Sequence, residues 1–419
     1  MLIQFSVANF RSFNQEQTLD LTASNYFSEL QENTFRPIKR KKLSLLKAIG
    51  IYGANASGKS SLVYALRFMK RQVSTLNREP HEKIDTKPFK LSKTMLSRPS
   101  QFEVIFVADN QQYQYGFSCT DKAFTQEWLF INGKPVLERN FNDARGEFEY
   151  PVLDLGKEDL VGIDGWKKFA SNSNTLFVPK AASNGSHILA PVVNWFSKLI
   201  IAERFSVQSS LKQLEDRQWS NRILGFLHQM GLQDVQELSS KSIDISKLSF
   251  PDDIPDAIRE QIKNDLKSHK DVFVQRKMLD DSAYAEFDLD NEESRGTGAL
   301  FAFAYPLLDI LDKDSVLVVD EIDNSLHPLV VQRIIHYFQN MYPNSRAQLV
   351  FTTHDASLLS KNLLRRDQVW FTEKNSKLST ELYSLDQFSP RKEDAIEKRY
   401  LSGRYGGVPI MTNLDHVYG

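Results

Sequence analysis

Eight residues constrain this chain more than any others: Gly53-Ala-Asn-Ala-Ser-Gly58-Lys59-Ser60. The apolar run AIGIYG leads into them, and the amphipathic stretch SLVYALRFMKRQV follows. A G-x-x-x-x-G-K-S segment between a buried strand and a helix is the Walker A arrangement. Its glycines let the backbone wrap a phosphate, with N–H groups pointing inward and a helix N-terminus behind them. Lys59 is expected to reach the β- and γ-phosphates of a nucleotide and the Ser60 hydroxyl to hold Mg²⁺. Gly53, Asn55, Ser57, Gly58 and Ser61 are expected to line the same loop.

Two later strands complement this loop. In SVLVVDEID, residues 315–323, apolar residues end in Asp320 and Glu321. An acid closing a buried parallel strand is the Walker B arrangement, in which Asp320 serves Mg²⁺ and Glu321 polarises the attacking water. In LVFTTHDASLL, residues 349–359, the strand ends in Thr352, Thr353, His354 and Asp355. A histidine at the carboxyl end of a parallel strand faces the crevice where ligands bind, so His354 is expected to meet the γ-phosphate or the water.

The segment ESRGTGALFAFAYP, residues 293–306, starts with hydroxyls and glycines and turns apolar at once. Its tip, Ser294 to Gly298, is expected to open a helix whose hydroxyls and free N–H groups make an anion site.

The rest of the chain organises around these motifs. LIQFSVANF and EQTLDLTA read as antiparallel strands near the N-terminus, and residues 101–131 as two or three more. From about 187 to 270 the pattern is mostly helical, with SIDISKLSFPDD as a break. The expected division is a Walker A lobe over 1–180, a helical insertion over 181–290, and a second lobe over 291–419. The basic run Arg36, Lys39, Arg40, Lys41, Lys42 is read as a solvated loop ahead of the Walker A strand. The net charge of −1 supplies no global pull toward nucleic acid or membrane. A single cysteine, Cys119, excludes an internal disulfide. With no signal peptide and no stretch of about 20 apolar residues, a cytoplasmic location and no membrane partner are expected.

The order FSVANFRSF, IYGANASGKSSL, ESRGTGAL, VLVVDEIDNSLHP, VFTTHD and the tail YLSGRYGGVPI resembles the ABC-type ATPases of the SMC, RecF and OLD group. It is most similar to the bacterial AAA-fifteen class found in phage-defence operons. The resemblance implies an α/β P-loop NTPase head of ABC-ATPase type, in two lobes with N-terminal antiparallel strands and a helical insertion. It implies that Ser294, Gly296 and Thr297 contact ATP on a second subunit, giving a homodimer or higher homo-oligomer. Asn324, Ser325, Leu326 and His327 become the D-loop, and Arg11 and Ser12 lie near the nucleotide. A Q-loop glutamine is implied among Gln101, Gln111, Gln112, Gln114 and Gln126.

Only 65 residues follow His354, short for the Toprim nuclease carried by overcoming-lysogenisation proteins. The nuclease or toxin is therefore expected on a separate effector. The resulting expectation is a Mg-ATP-hydrolysing, ATP-gated switch in anti-phage defence. The alternative is a RecF- or SMC-like clamp that closes on DNA.

Overall fold

The computed structural model describes residues 1–38, 42–242, 251, 254–266, 270–280, 283–342 and 344–409. Lys39, Arg40 and Lys41 of the basic run, and most of the SIDISKLSFPDD break, lie outside the described residues. The chain divides into two compact units, one of residues 1–203, 310–322 and 334–419, the other of 204–309 and 323–333.

The first unit is built on two sheets. A six-stranded sheet runs in the order Ile200–Ala202, Val316–Val319, Gln348–Thr353, Ala48–Tyr52, Val369–Lys374, Thr380–Ser384. Its first five strands are parallel, and the last is an antiparallel edge. The central strand AIGIY is buried at every position, as a strand covered on both faces requires. The second sheet is antiparallel, in the order Glu147–Leu153, Lys134–Asn142, Phe124–Ile131, Gln111–Cys119, Ser100–Ala108, Leu2–Ala8, Gln17–Asp20.

Helix Lys59–Ser74 joins the two through one core. Its Leu62, Val63, Leu66, Phe68 and Met69 belong to the same buried cluster as Phe5, Phe102 and Phe117 of the antiparallel sheet and Ile49, Val318 and Val350 of the parallel one. Each fully buried Leu, Val, Phe or Met side chain contributes about 1.5–3 kcal/mol here. Phe102 meets Phe10 edge-on at 5.1 Å and Phe68 in a tilted arrangement at 4.8 Å. Cys119 is also buried in this core, and burial pushes its thiol up to about 12, as suits an inert packing group.

The second unit holds an antiparallel sheet of strands Val235–Ser242, Lys270–Lys277 and Tyr284–Asp288. It also holds helices Arg217–Gln229 and Asp256–Leu266. Asp216 caps the first of these by accepting from Gln218 N and Trp219 N. This unit covers most of the segment expected to be helical, and among the described residues that segment carries strands as well as helices. The stretch ILAPVVNWFSKLIIAERF, at the start of the segment expected to be mostly helical, holds a helix, Ala190–Lys198, and a strand. Its helix stops at Lys198, and Ile200–Ala202 joins the edge of the parallel sheet. Among the described residues, no helix is long and apolar enough to cross a membrane.

Candidate functional site

Strand register brings the three main motifs to one edge. Tyr52 pairs with Thr353, and Val319 with Phe351, so the segments beginning at Gly53, Asp320 and His354 all leave the carboxyl ends of adjacent parallel strands. Ligands bind to open α/β sheets at this edge.

The loop from Gly53 to Ser60 has no room to spare. A Cβ on Gly58, which has φ +118°, would fall 2.1 Å from Thr380 Oγ1, and one on Gly53 would fall 2.5 Å from Thr372 Oγ1. Both threonines belong to the hairpin of strands Val369–Lys374 and Thr380–Ser384. Thr372 Oγ1 lies 2.6 Å from Ser57 Oγ, and Thr380 Oγ1 donates to Ser57 O at 2.7 Å. Sequence reasoning missed this brace. The alternation in VWFTEK and TELYS around a polar turn was the available signal.

Helix Lys59–Ser74 has Gly58 as its N-cap, with no side-chain cap hydrogen bond, and a helix N-terminus of this kind suits an anion. Lys59 is buried, and its Nζ donates to Gly53 O at 2.7 Å and Ala54 O at 3.1 Å. The same nitrogen is 3.4 Å from His354 Nδ1. Ser60 and Ser61 are half-buried in the first helical turn, and Asn55 is exposed at the loop tip.

The acid pair shows a division of labour. Asp320 is buried at 6% exposure, whereas the Glu321 side chain is 51% exposed. Glu321 takes a left-handed φ of 53° that turns the chain away from the strand. Thr352 governs both acids. Its Oγ1 donates to Asp320 Oδ1 at 2.5 Å and accepts from Glu321 N at 2.8 Å. Glu321 Oε1 then stands 4.0 Å from His354 Nε2. This exceeds a direct hydrogen bond and suits a bridging water. Thr352 is a further residue that sequence reasoning missed, since it lies two positions before the histidine and carries no motif of its own.

Arg11 also lies in the first unit, exposed, with its guanidinium 3.9 Å above the Tyr64 ring of the loop helix. Ser12 Oγ lies 2.8 Å from Thr380 Oγ1, which ties the N-F-R-S element to the loop brace. The five candidate glutamines all lie on strands of the antiparallel sheet.

The signature residues are in the second unit. Ser294 caps helix Arg295–Asp312, its Oγ accepting from Thr297 N at 3.1 Å and lying 3.0 Å from Thr297 Oγ1. The Glu293 carboxylate is held by the Arg276 guanidinium of strand Lys270–Lys277. The D-loop lies beside this tip, and a Cβ on Gly296 would sit 3.3 Å from Ser325 O.

The residues present fit a Mg-nucleotide. The loop has an open helix N-terminus, a buried lysine and a carboxylate at the adjacent strand end. Among the described residues no group of three or more His, Cys, Asp or Glu side chains could hold a metal ion. A Mg²⁺ shared with phosphates needs only one or two protein ligands, and Ser60 and Asp320 would be such ligands.

No curated protein matches this sequence. Similar solved structures include the SMC head domain from Thermotoga maritima, at 11% identity and a TM-score of 0.40, covering 91% of this chain and 98% of that one. They also include an SmcHead bound to the C-winged helix domain of ScpA, at 10% identity and a TM-score of 0.43, covering 93% and 99%. An Smc head domain with an extended coiled coil, bound to the C-terminal domain of ScpA derived from Pyrococcus furiosus, gives 10% identity and a TM-score of 0.42, covering 93% and 97%. A family profile described as "AAA domain, putative AbiEii toxin, Type IV TA system" matches residues 49–360. The match starts within the strand ahead of the phosphate-binding loop and runs past the histidine-ended strand, across most of the chain, and this protein therefore belongs to that AAA-domain family of P-loop ATPases.

Proposed function

We propose that this chain hydrolyses Mg-ATP and uses the bound nucleotide to switch the assembly of its own subunits, thereby controlling a separate effector protein. The observation that carries this reading is the convergence of Lys59, Asp320, Glu321 and His354 at one sheet edge, with Lys59 Nζ 3.4 Å from His354 Nδ1. In this reading Lys59 and Mg²⁺, held by Ser60 and Asp320, neutralise the phosphates. Gly53, Asn55, Ser57, Gly58 and Ser61 line the loop around them. Glu321 orients the water, and His354 senses the γ-phosphate. Arg11 takes a place near the nucleotide.

The shared surface of Gly296 and Ser325 supports treating signature and D-loop as one element, offered with Ser294 and Thr297 to the ATP of a second subunit. Each γ-phosphate then bridges two chains, and hydrolysis removes the bridge. The family description, with its toxin and TA system, supports placing the switch in bacterial defence with a nuclease or toxin as the effector.

Light-scattering mass with and without Mg-ATP tests the switch. ATP is expected to raise the mass of the wild type and leave that of Lys59→Ala unchanged. A wild-type mass indifferent to ATP would sink the assembly reading.

Thr352 supplies a second test. Thr352→Val keeps shape but removes the hydroxyl that orients Asp320 and anchors Glu321. The expected fall in kcat is about ten- to a hundredfold, with ATP affinity little changed. Thr352→Ser is expected to restore turnover. If the Val variant turned over like wild type, Thr352 would be a packing residue only.

A further inference from the structure

The tail segment YLSGRYGG closes on the phosphate-binding loop. Helix Ile396–Leu401 presents Tyr400, whose ring stacks on Phe371 at 5.3 Å and meets Tyr52 edge-on at 6.2 Å. The chain then turns through Gly406 and Gly407, with φ of 68° and 67°. Tyr400 Oη donates to Gly407 O at 3.1 Å, and Tyr383 Oη donates to Tyr405 O at 2.9 Å. Burial raises the pKa of both phenols, and the Glu373 carboxylate adds to this at Tyr383, so both remain donors. A Cβ on Gly406 would lie 2.4 Å from Glu373 Oε2. A Cβ on Gly407 would lie 3.6 Å from Gly53 Cα and 3.5 Å from Thr372 O. Gly53 thus has no room for a side chain on the Thr372 side, a side chain at Gly407 would come into contact with its Cα, and its carbonyl accepts from Lys59 Nζ.

We propose that the Tyr400–Gly407 turn is a positioning element of the nucleotide site, fixing Gly53 and through it the seat of Lys59. The inference rests on reading the loop as an ATP site. It assigns a role to a segment far downstream of Walker A that touches neither Mg²⁺ nor the reacting atoms. A displaced Gly53 moves the loop N–H groups and the lysine together. The effect therefore falls on binding in the ground and transition states alike.

The test is titration of the full chain with a fluorescent ATP analogue in Mg²⁺, alongside steady-state ATPase kinetics and thermal melting. Gly407→Val brings a branched side chain to a left-handed position against Gly53. It is expected to weaken nucleotide binding about tenfold, raising KM by a like factor with kcat within about twofold of wild type. Tyr400→Phe keeps the ring stack and loses one hydrogen bond, for an expected weakening of about threefold.

Unchanged affinity in both the Val and Phe variants would overturn the proposal. So would a fall in kcat and melting temperature with affinity intact, the mark of a merely structural turn. Lys59→Ala separates the two levels of the argument. If wild type binds nucleotide, Lys59→Ala does not, and the tail variants bind normally, the tail inference alone fails. A wild type that binds no nucleotide would remove the loop reading itself, and this inference with it.

Discussion

Glu321→Gln is expected to lower ATP turnover about a thousandfold while leaving ATP affinity within about twofold of wild type, the loss typical of a removed general base. The change is nearly isosteric. Glu321 N would still donate to Thr352 Oγ1, and Asp320 would keep its own bond to that hydroxyl, so loop, metal ligand and strand end are undisturbed. Only the basic oxygen facing His354 is lost. The left-handed backbone at Glu321 costs roughly 1–3 kcal/mol, a strain retained where it aims a reactive group. With ATP bound but not cleaved, the γ-phosphate bridge persists, and the variant is expected to remain at the higher mass after wild type has returned to the lower one. Single-turnover kinetics with scattering detection reads both quantities. Turnover equal to wild type would remove Glu321 from the role of base.

The fold's centre was legible because its strands are buried on both faces. AIGIY and VLVV are continuous apolar runs, QLVFTT has the apolar core LVF, and each leads into the polar residues that carry chemistry. Pro328 opens helix Pro328–His336, a position where proline's missing N–H costs nothing.

The antiparallel elements were harder to see. Strand Lys134–Asn142 follows an Asn132-Gly133 turn with both φ values positive, a strong hairpin signal that went unread because the strand itself is KPVLERNFN, rich in polar residues. In the second unit, KDVFVQRK directly follows a helical pattern, and its short alternation was absorbed into that helix. The roles of Thr352, Thr372 and Thr380 were invisible for a different reason. Each works through a partner distant in sequence, and a hydroxyl in a strand carries no mark of which loop it will brace.

Glu127→Ala is expected to cost the first unit roughly 3–5 kcal/mol, because it strands a buried guanidinium. Glu127 and Arg139 are fully buried and paired at 2.7 Å. The carboxylate also accepts from Phe177 N at 2.7 Å, Val178 N at 3.0 Å and Tyr115 Oη at 2.9 Å. Arg139 in turn donates to Ala170 O at 3.2 Å and Thr175 O at 2.5 Å. The pair therefore fastens the segment leading into helix Phe177–Ser183, and that helix packs against the one carrying Lys59.

This arrangement makes a sharper prediction than an isolated ion pair would. Replacing a simple buried pair with apolar residues is often neutral or stabilising. Here the double variant Glu127→Leu with Arg139→Met would orphan two backbone N–H groups and two carbonyls, each worth about 1–3 kcal/mol when buried and unpaired. Both variants are expected to lower the urea midpoint of the first unit by about 1 M or more. Tryptophan fluorescence, with Trp128 next to Glu127 in the same strand, follows the transition. A double variant as stable as wild type would show that the ion pair, and not the backbone groups it satisfies, is what the single substitution disturbs.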